Sequence, residues 1–401
     1  MRKLLAALVS SALLAPAASA QTLPQGRGRV SFGIYYFRQA LPTVDVPHLL
    51  DTSTTETILK ELKKRVVEGL DINGRDLSLM MPGLSFSGNV EVLLSLPQID
   101  YGITDRLTVS LIWPYFNLAR TNVRFHGEHS GVAYNIAYDP RKPVATENLP
   151  VTVDRGKMVT GTEGLQLLLT NFFGYHRVES YRGYGTGDPL LAFSYGFGGH
   201  PRSLRVSLFG QFPFGRIADP DNPFAFVYGE GHFKLGSRFW LEDSEGHPWT
   251  IGFGLGHVFH FRDHPTLRIY KFAAIPLSTV GAKEQVTRTQ GQQLGGQVAI
   301  SRQFLEGLLR PAIVFGVEHV FSDAIRGGRD PSDYAAVIEN SGRNIYSGEL
   351  TLTLSTVERF LQRRFAIPAT FTLGLRSQVV DKGVLNGIGQ LQLSLTSSTF
   401  F

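Results

Sequence analysis

The stretch that most constrains this chain is its last, from Ile388 to Phe401, reading Ile-Gly-Gln-Leu-Gln-Leu-Ser-Leu-Thr-Ser-Ser-Thr-Phe-Phe. Leu391, Leu393, Leu395, Thr399 and Phe401 fall on one side of an extended backbone. Gln390, Gln392, Ser394, Thr396 and Ser398 fall on the other. Successive side chains of a strand point to opposite faces, so this period of two gives one oily and one polar face.

The same alternation recurs along the chain. Val30, Phe32, Ile34 and Tyr36 form one row, and Leu84, Phe86, Val90, Val92, Leu94 and Leu96 a second, taken as outward-facing with Ser87, Asn89 and Glu91 turned inward. Leu107, Val109, Leu111, Trp113 and Tyr115 follow, and from Asp188 to the end the rows return without a long break. The count is about twelve strands, several of them far longer than the ~5–6 residues usual in a globular sheet. Lipid offers no hydrogen-bond partner to an open sheet edge, so the expected fold is all-β, a closed transmembrane antiparallel β-barrel. An even count puts short turns on one side, long connections on the other, and both chain ends on the short-turn side. Trp113, Tyr115, Trp240 and Trp249 fall near strand ends, where interfacial aromatic girdles belong.

Residues 1–20 read as a secretory signal peptide. Arg2 and Lys3 precede an apolar run, shorter than the ~20 residues of a spanning helix, that ends at Ala18-Ser19-Ala20. Residues 21–401 are then one exported barrel domain, expected in a bacterial outer membrane with its lipid as a partner. Gly at 43, Phe at 28 and Tyr at 14 are high for a soluble domain. Cysteine is absent, which excludes a disulfide framework and thiolate chemistry. The net charge of +5 comes from interspersed charges, so no basic face for nucleic acid is visible.

Inward rows are the functional surface of a barrel. Glu91, Arg205, Gln211, Glu230, His232, Lys234, Arg238, Glu318, Glu349, Arg376, Gln378, Gln390 and Gln392 are predicted to line the lumen. Both signs of charge are present, which argues against a strong anion or cation preference. About twelve strands lies between a barrel filled by side chains and one holding an aqueous channel, so a narrow or occluded lumen is expected. Two capped helices, opened by Ser53-x-x-Glu56 and Thr160-x-x-Glu163, sit in the long loops. Their apolar stripes suit either a lid or plug, or packing on each other outside the barrel.

Metal and catalytic motifs are weak. His126-Gly-Glu-His129 has no helical zinc spacing, and His257 and His260 alternate to opposite faces, away from any shared site with His264. Gly252, Gly254 and Gly256 sit inside a strand with no helix after them, so their role is room at the inner wall rather than dinucleotide binding. No Ser/His/acid arrangement is recognisable, so neither an enzyme nor a cofactor is expected.

At Tyr101-Gly-Ile-Thr-Asp-Arg-Leu-Thr-Val-Ser-Leu-Ile-Trp-Pro-Tyr115 the chain resembles the family described as outer-membrane proteins of the meta-pathway of phenol degradation. Gly185-Thr-Gly-Asp188 is similar to that family's entry to a strand. Gly210-Gln-Phe-Pro-Phe-Gly215 is similar to a further motif, with Phe214 at a position where Thr is more usual. The resemblance implies a barrel that moves hydrophobic or aromatic small molecules across the outer membrane, with Phe401 as the end an assembly machinery reads. A structural or adhesive barrel and an outer-membrane lipid hydrolase are the alternatives.

Overall fold

The computed structural model describes residues 22–45, 85–126, 174–199, 202–217, 219–222, 225–244, 248–269, 282–339, 341–381 and 390–401, with residues 153–154, 157–158, 166 and 170. The leader and most of both predicted helices lie outside the described residues.

Twelve strands close a barrel. They are β1 (Gly28–Asp45), β2 (Ser85–Thr104), β3 (segments Leu107–Ile112 and Tyr115–His126), β4 (segments Tyr181–Thr186 and Leu190–Gly199), β5 (Arg202–Gln211), β6 (Lys234–Asp243), β7 (Trp249–His260), β8 (Gln293–Arg302), β9 (Leu309–Val320), β10 (Arg343–Ser355), β11 (Ala369–Val380) and β12 (Gln390–Phe400). Each pairs antiparallel with its sequence neighbours, and β12 pairs with β1 from Arg29–Phe400 to Arg38–Leu391, which closes the sheet. At the seam the Gly28 N–H donates to the Phe401 carbonyl and the Phe401 N–H to the Gly28 carbonyl, both at 2.9 Å. The Phe401 ring lies over Gly28, where a Cβ would come within 2.2 Å of it, so any larger residue would push the ring aside.

The two breaks, in β3 and β4, face each other. Pro114 has no N–H to give the ladder, and the Gly187 N–H donates to its carbonyl at 2.8 Å, carrying the wall across the kink. Short turns lie at one end and the long connections at the other, as parity requires. Two short α-helices are described. α1 (Ala335–Glu339) lies in a long loop, whereas α2 (Val357–Leu361) lies in a short turn. Among the described residues no helix is long and apolar enough to cross a membrane, which says nothing of strands.

The outer wall is apolar. Phe32, Ile34, Leu111, Phe193, Leu208, Phe253, Phe315, Leu352 and Phe371 all point away from the lumen and are exposed. A belt of that size around a closed sheet is stable only where lipid covers it. Trp113, Tyr115 and Trp249 stand on this outer face, but Trp240 does not. It is buried in the lumen, on the same side of β6 as Lys234 and Arg238.

Strand β2 departs from the sequence expectation most. Val90, Val92, Leu94 and Leu96 face inward and are buried, and Glu91 faces outward, where it meets the exposed Arg38 at 3.4 Å. Below Leu96 the pattern reverses: Gln98 and the buried Asp100 face in, and Ile99, Tyr101 and Ile103 are exposed outside. The physical cause is height. Near the turn end the outside is lipid and the inside polar, whereas near the loop end the inside holds an apolar core.

Candidate functional site

The core at the loop end is built around the connection between β5 and β6, residues 212–233, which folds into the barrel. Asp188, in the break of β4, holds both ends of the inward turn. Its Oδ1 accepts from the Gly215 N–H at 2.7 Å and its Oδ2 from the Glu230 N–H at 2.8 Å. Both the Tyr228 and Gly229 N–H groups donate to the Arg216 carbonyl at 3.0 Å. Gly215 and Gly229 lie against each other, and a Cβ on Gly215 would come within 2.7 Å of the Gly229 backbone.

The turn carries Phe226 and Tyr228 onto the inner wall. With Phe116 they form a trio whose ring centroids are 5.3 to 5.5 Å apart, edge-on and tilted rather than stacked. Phe37, Val90, Val92 and Leu94 complete the same buried cluster, together with Val320, Ile345 and Val380. The Tyr228 hydroxyl meets the Tyr181 hydroxyl at 3.1 Å. Outside this plug the loops clasp one another. Arg268 reaches Asp221 at 2.6 Å and the Gly174 carbonyl at 3.0 Å, and its guanidinium stacks 3.8 Å from the Tyr175 ring centroid. Lys283 adds a second cation to Asp221, at 2.6 Å.

A polar layer lies under the plug. Glu230, His232 and Lys234 come from the end of the inward connection and the start of β6, and His260 from the end of β7. Lys234 Nζ donates to Glu230 Oε1, and His232 Nε2 and His260 Nδ1 share a hydrogen bond of 2.7 Å. His232 Nδ1 lies 3.6 Å from Asp263, which also holds Arg288 at 2.5 Å. Burial raises the Glu230 carboxyl, but Lys234, His260 and His232 outweigh it and bring it down to about 2. Burial pushes the His232 imidazole below its ordinary range, against the pull of Glu230.

Glu230, His232 and His260 offer donor atoms within 4.8 Å of one another, a spacing that could hold a metal ion. The arrangement is nevertheless a hydrogen-bonded chain, with the Lys234 ammonium already on Glu230 and the two imidazoles bonded to each other. A cation would have to displace one and separate the others. Glu230 Oε2, His260 Nε2, Gln293 Nε2 and Glu318 Oε1 are buried without a hydrogen-bond partner.

Below the layer a cavity of about 350 Å³ runs to Thr370 and Ser398 at the turn end. Of the predicted lumen residues, Arg205, Gln211, Lys234, Arg238 and Glu349 line it, and Glu318, Arg238 and Arg376 line a smaller pocket of about 30 Å³ beside it. Gln378 is buried in the same inward row as Arg376. Gln390 and Gln392 stand opposite Gln378 and Arg376 in the ladder. Glu91 is the exception, outside the wall as described above. Glu230 and His232 come from the inward connection rather than from a strand.

Several residues of the cavity carry no obvious signal in the sequence. Arg29, bound to Asp100 at 2.7 Å, and Arg310, 3.8 Å from Glu242, face inward from strands read only by their oily rows. Trp240 lies flat across Gly252 and Gly254, where a Cβ would come within 2.5 and 2.8 Å of its ring. The glycine series in β7 is thus room at the inner wall, and Trp240 fills it.

No family model matches the chain, and no curated protein matches it. Solved structures do. An outer-membrane channel from Pseudomonas putida F1 is 14% identical over 96% of this chain and 99% of its own, with a TM-score of 0.48. The translocator domain of the autotransporter NalP from Neisseria meningitidis is 8% identical over 98% and 95%, at 0.39. A ΔS2S3 mutant of the monoaromatic hydrocarbon channel TodX is 8% identical over 97% and 93%, also at 0.39. The fold of the chain rests on its own strand register.

Proposed function

We propose that this barrel is a passive route across a bacterial outer membrane for small hydrophobic or aromatic molecules, not an enzyme. The observation that carries the reading is the division of the lumen. A separate, inward-folded connection seals the loop end, while a cavity lined mainly by hydroxyls and charged side chains, with Tyr35, Phe209 and Trp240 among them, runs to the turn end. A purely structural barrel has no need of a lumen that keeps open space toward one end and is closed at the other by an inward-folded connection. Long connections face outside in such barrels, so the plug is the outer gate and the cavity faces the periplasm. A lipid hydrolase would need a nucleophile and base at the lipid-facing rim, and the polar cluster lies inside the wall.

Liposome swelling with a panel of aromatic, aliphatic and charged solutes tests the route. Selective swelling with small aromatic solutes supports it, and no swelling with any solute across the pH range in which the barrel stays folded overturns it. The same reading makes Phe401 the residue that the barrel assembly machinery recognises. Removing Phe400 and Phe401 should lower the yield of inserted barrel far more than the conductance of those that insert.

A further inference from the structure

We propose that the outer face of β1 to β4, just beyond the apolar belt, binds a phosphate-bearing lipid headgroup of the leaflet around the loop end. Such a site is independent of what the lumen carries.

The first observation is a row of charges. In the ladders Arg38 stands opposite Glu91, Glu91 opposite Arg120, and Arg120 opposite Arg182. Four side chains thus lie at one height on four adjacent strands. Their neighbours in sequence fix the direction. Phe37, Val90, Val92 and Ala119 are buried in the core of the lumen, and Gly183 faces Tyr228 there, so the row points outward. Arg38, Arg120 and Arg182 are exposed, and Glu91 is half-buried.

The second observation is the balance within that row. Glu91 is its one carboxylate and lies 3.4 Å from Arg38. Arg120 and Arg182 face each other across the ladder between β3 and β4. Like charges directly opposite oppose the pairing of their strands. An anion seated across the two removes that repulsion, and two planar guanidinium forks match the oxygens of a phosphate. Arg124, exposed two steps farther along β3, adds another positive charge, whereas Arg177 and Glu179 pair at 3.4 Å and add none.

The third observation is height. The outer row of β2 runs from Ile103 through Tyr101, Ile99 and Pro97 to Leu93. At ~3.3 Å per residue and a tilt of ~40° that run rises about 25 Å, the height of the apolar band of a membrane barrel. Glu91 is the next outward residue, so the charged row sits where hydrocarbon gives way to hydrated headgroups. One step toward the turns on the same four strands stand Tyr36, Leu93, Leu118 and Tyr184, a surface suited to acyl chains. Charge above and apolar surface below select a lipid over a soluble anion. Three gaps of ~4.8 Å make the row about 14 Å wide, room for one headgroup with two phosphates.

Native mass spectrometry of the detergent-solubilised protein tests the site, with bisphosphorylated lipid A, phosphatidylcholine and inorganic phosphate as probes. Lipid A should be retained at concentrations where phosphatidylcholine is lost, and its retention should fall with rising salt. Losing one charge-assisted contact lowers affinity by about tenfold, so Arg120→Gln and Arg182→Gln should each weaken lipid A by that factor. Arg120→Lys, which keeps the charge without the fork, should fall between. Arg364→Gln, which removes a cation paired with Glu306 at the turn end, should change nothing. Heat-modifiable mobility confirms that each variant is folded. No retention of lipid A, equal retention of the two lipids, or retention untouched at Arg120 and Arg182 overturns the proposal. So does full displacement of lipid A by an equal concentration of inorganic phosphate, which would make the row a site for the free anion.

Discussion

The two halves of this lumen are built on opposite plans within the same twelve strands. Toward the loops the inner wall is Val90, Val92, Leu94, Phe116, Val320, Ile345 and Val380, closed around the inserted Phe226 and Tyr228. Toward the turns it is hydroxyls, arginines and one indole around open space. The change occurs inside single strands, between Leu96 and Gln98 in β2. The apolar half gains stability by excluding water from packed rings, whereas the polar half keeps room by forgoing that gain. The seal and the cavity are therefore distinct parts of one lumen, joined through the contact of Glu230 with Lys234.

The largest expected effect comes from removing the seal. Replacing residues 216–231 by a short Gly/Ser linker should convert a closed barrel into one with steady conductance in planar bilayers. Conductance that stays at the wild-type level would move the seal to another part of the barrel.

Acid should act next, because the layer under the plug resists protonation. A His232 imidazole held below its ordinary value of 6.5 binds fewer protons in the packed plug than when released. Its contribution is present above about 6.5 and is lost as pH falls through the depressed value. Glu230, brought down to about 2 from 4.5, contributes above 4.5 and loses that contribution as pH falls toward 2. Channel openings should thus grow in two stages on acidification, and His232→Gln should remove the first. A flat conductance through both windows would detach this layer from the seal.

A smaller contrast comes from matched truncations. Phe226→Ala should cost the plug about 3–5 kcal/mol of packing, the usual range for a buried phenylalanine. Amide exchange at Tyr228 and Gly229 reports it. Phe209→Ala, facing a cavity that is already open, should cost well under that and leave those amides protected. Equal costs at the two sites would mean that the halves are packed alike.

The sequence displays the wall better than its contents. Alternation in β5 to β11 marks both faces correctly because lipid lies outside and polar groups inside along most of their length. The β1 row of Val30, Phe32, Ile34 and Tyr36 also faces outward, but toward the loop end of β2 the same rule misleads, because the apolar row there faces the plug and not lipid. There Glu91 and Arg38 meet water outside while Val90 and Val92 meet the plug. Phe226 and Tyr228 lie in a segment without periodicity, so no pattern distinguishes an inserted turn from an outer loop. The pairing of His232 with His260 is likewise long-range, set by the ladder between Lys234 and His260. The motif residues Gly187, Asp188 and Gly215 stand where the resemblance draws attention, and their work as the plug's hinge becomes visible only in three dimensions.

The Gly28–Phe401 seam has a consequence in time. β1 precedes the eleven other described strands of the wall in the chain, and its second edge is met only by β12. Until then the chain is a ribbon with two unpaired margins, and neither lipid nor any internal strand can satisfy them. Closure is therefore all-or-nothing and late. A chain cut short anywhere before β12 leaves a row of hydrogen-bonding groups open to the nearest foreign strand.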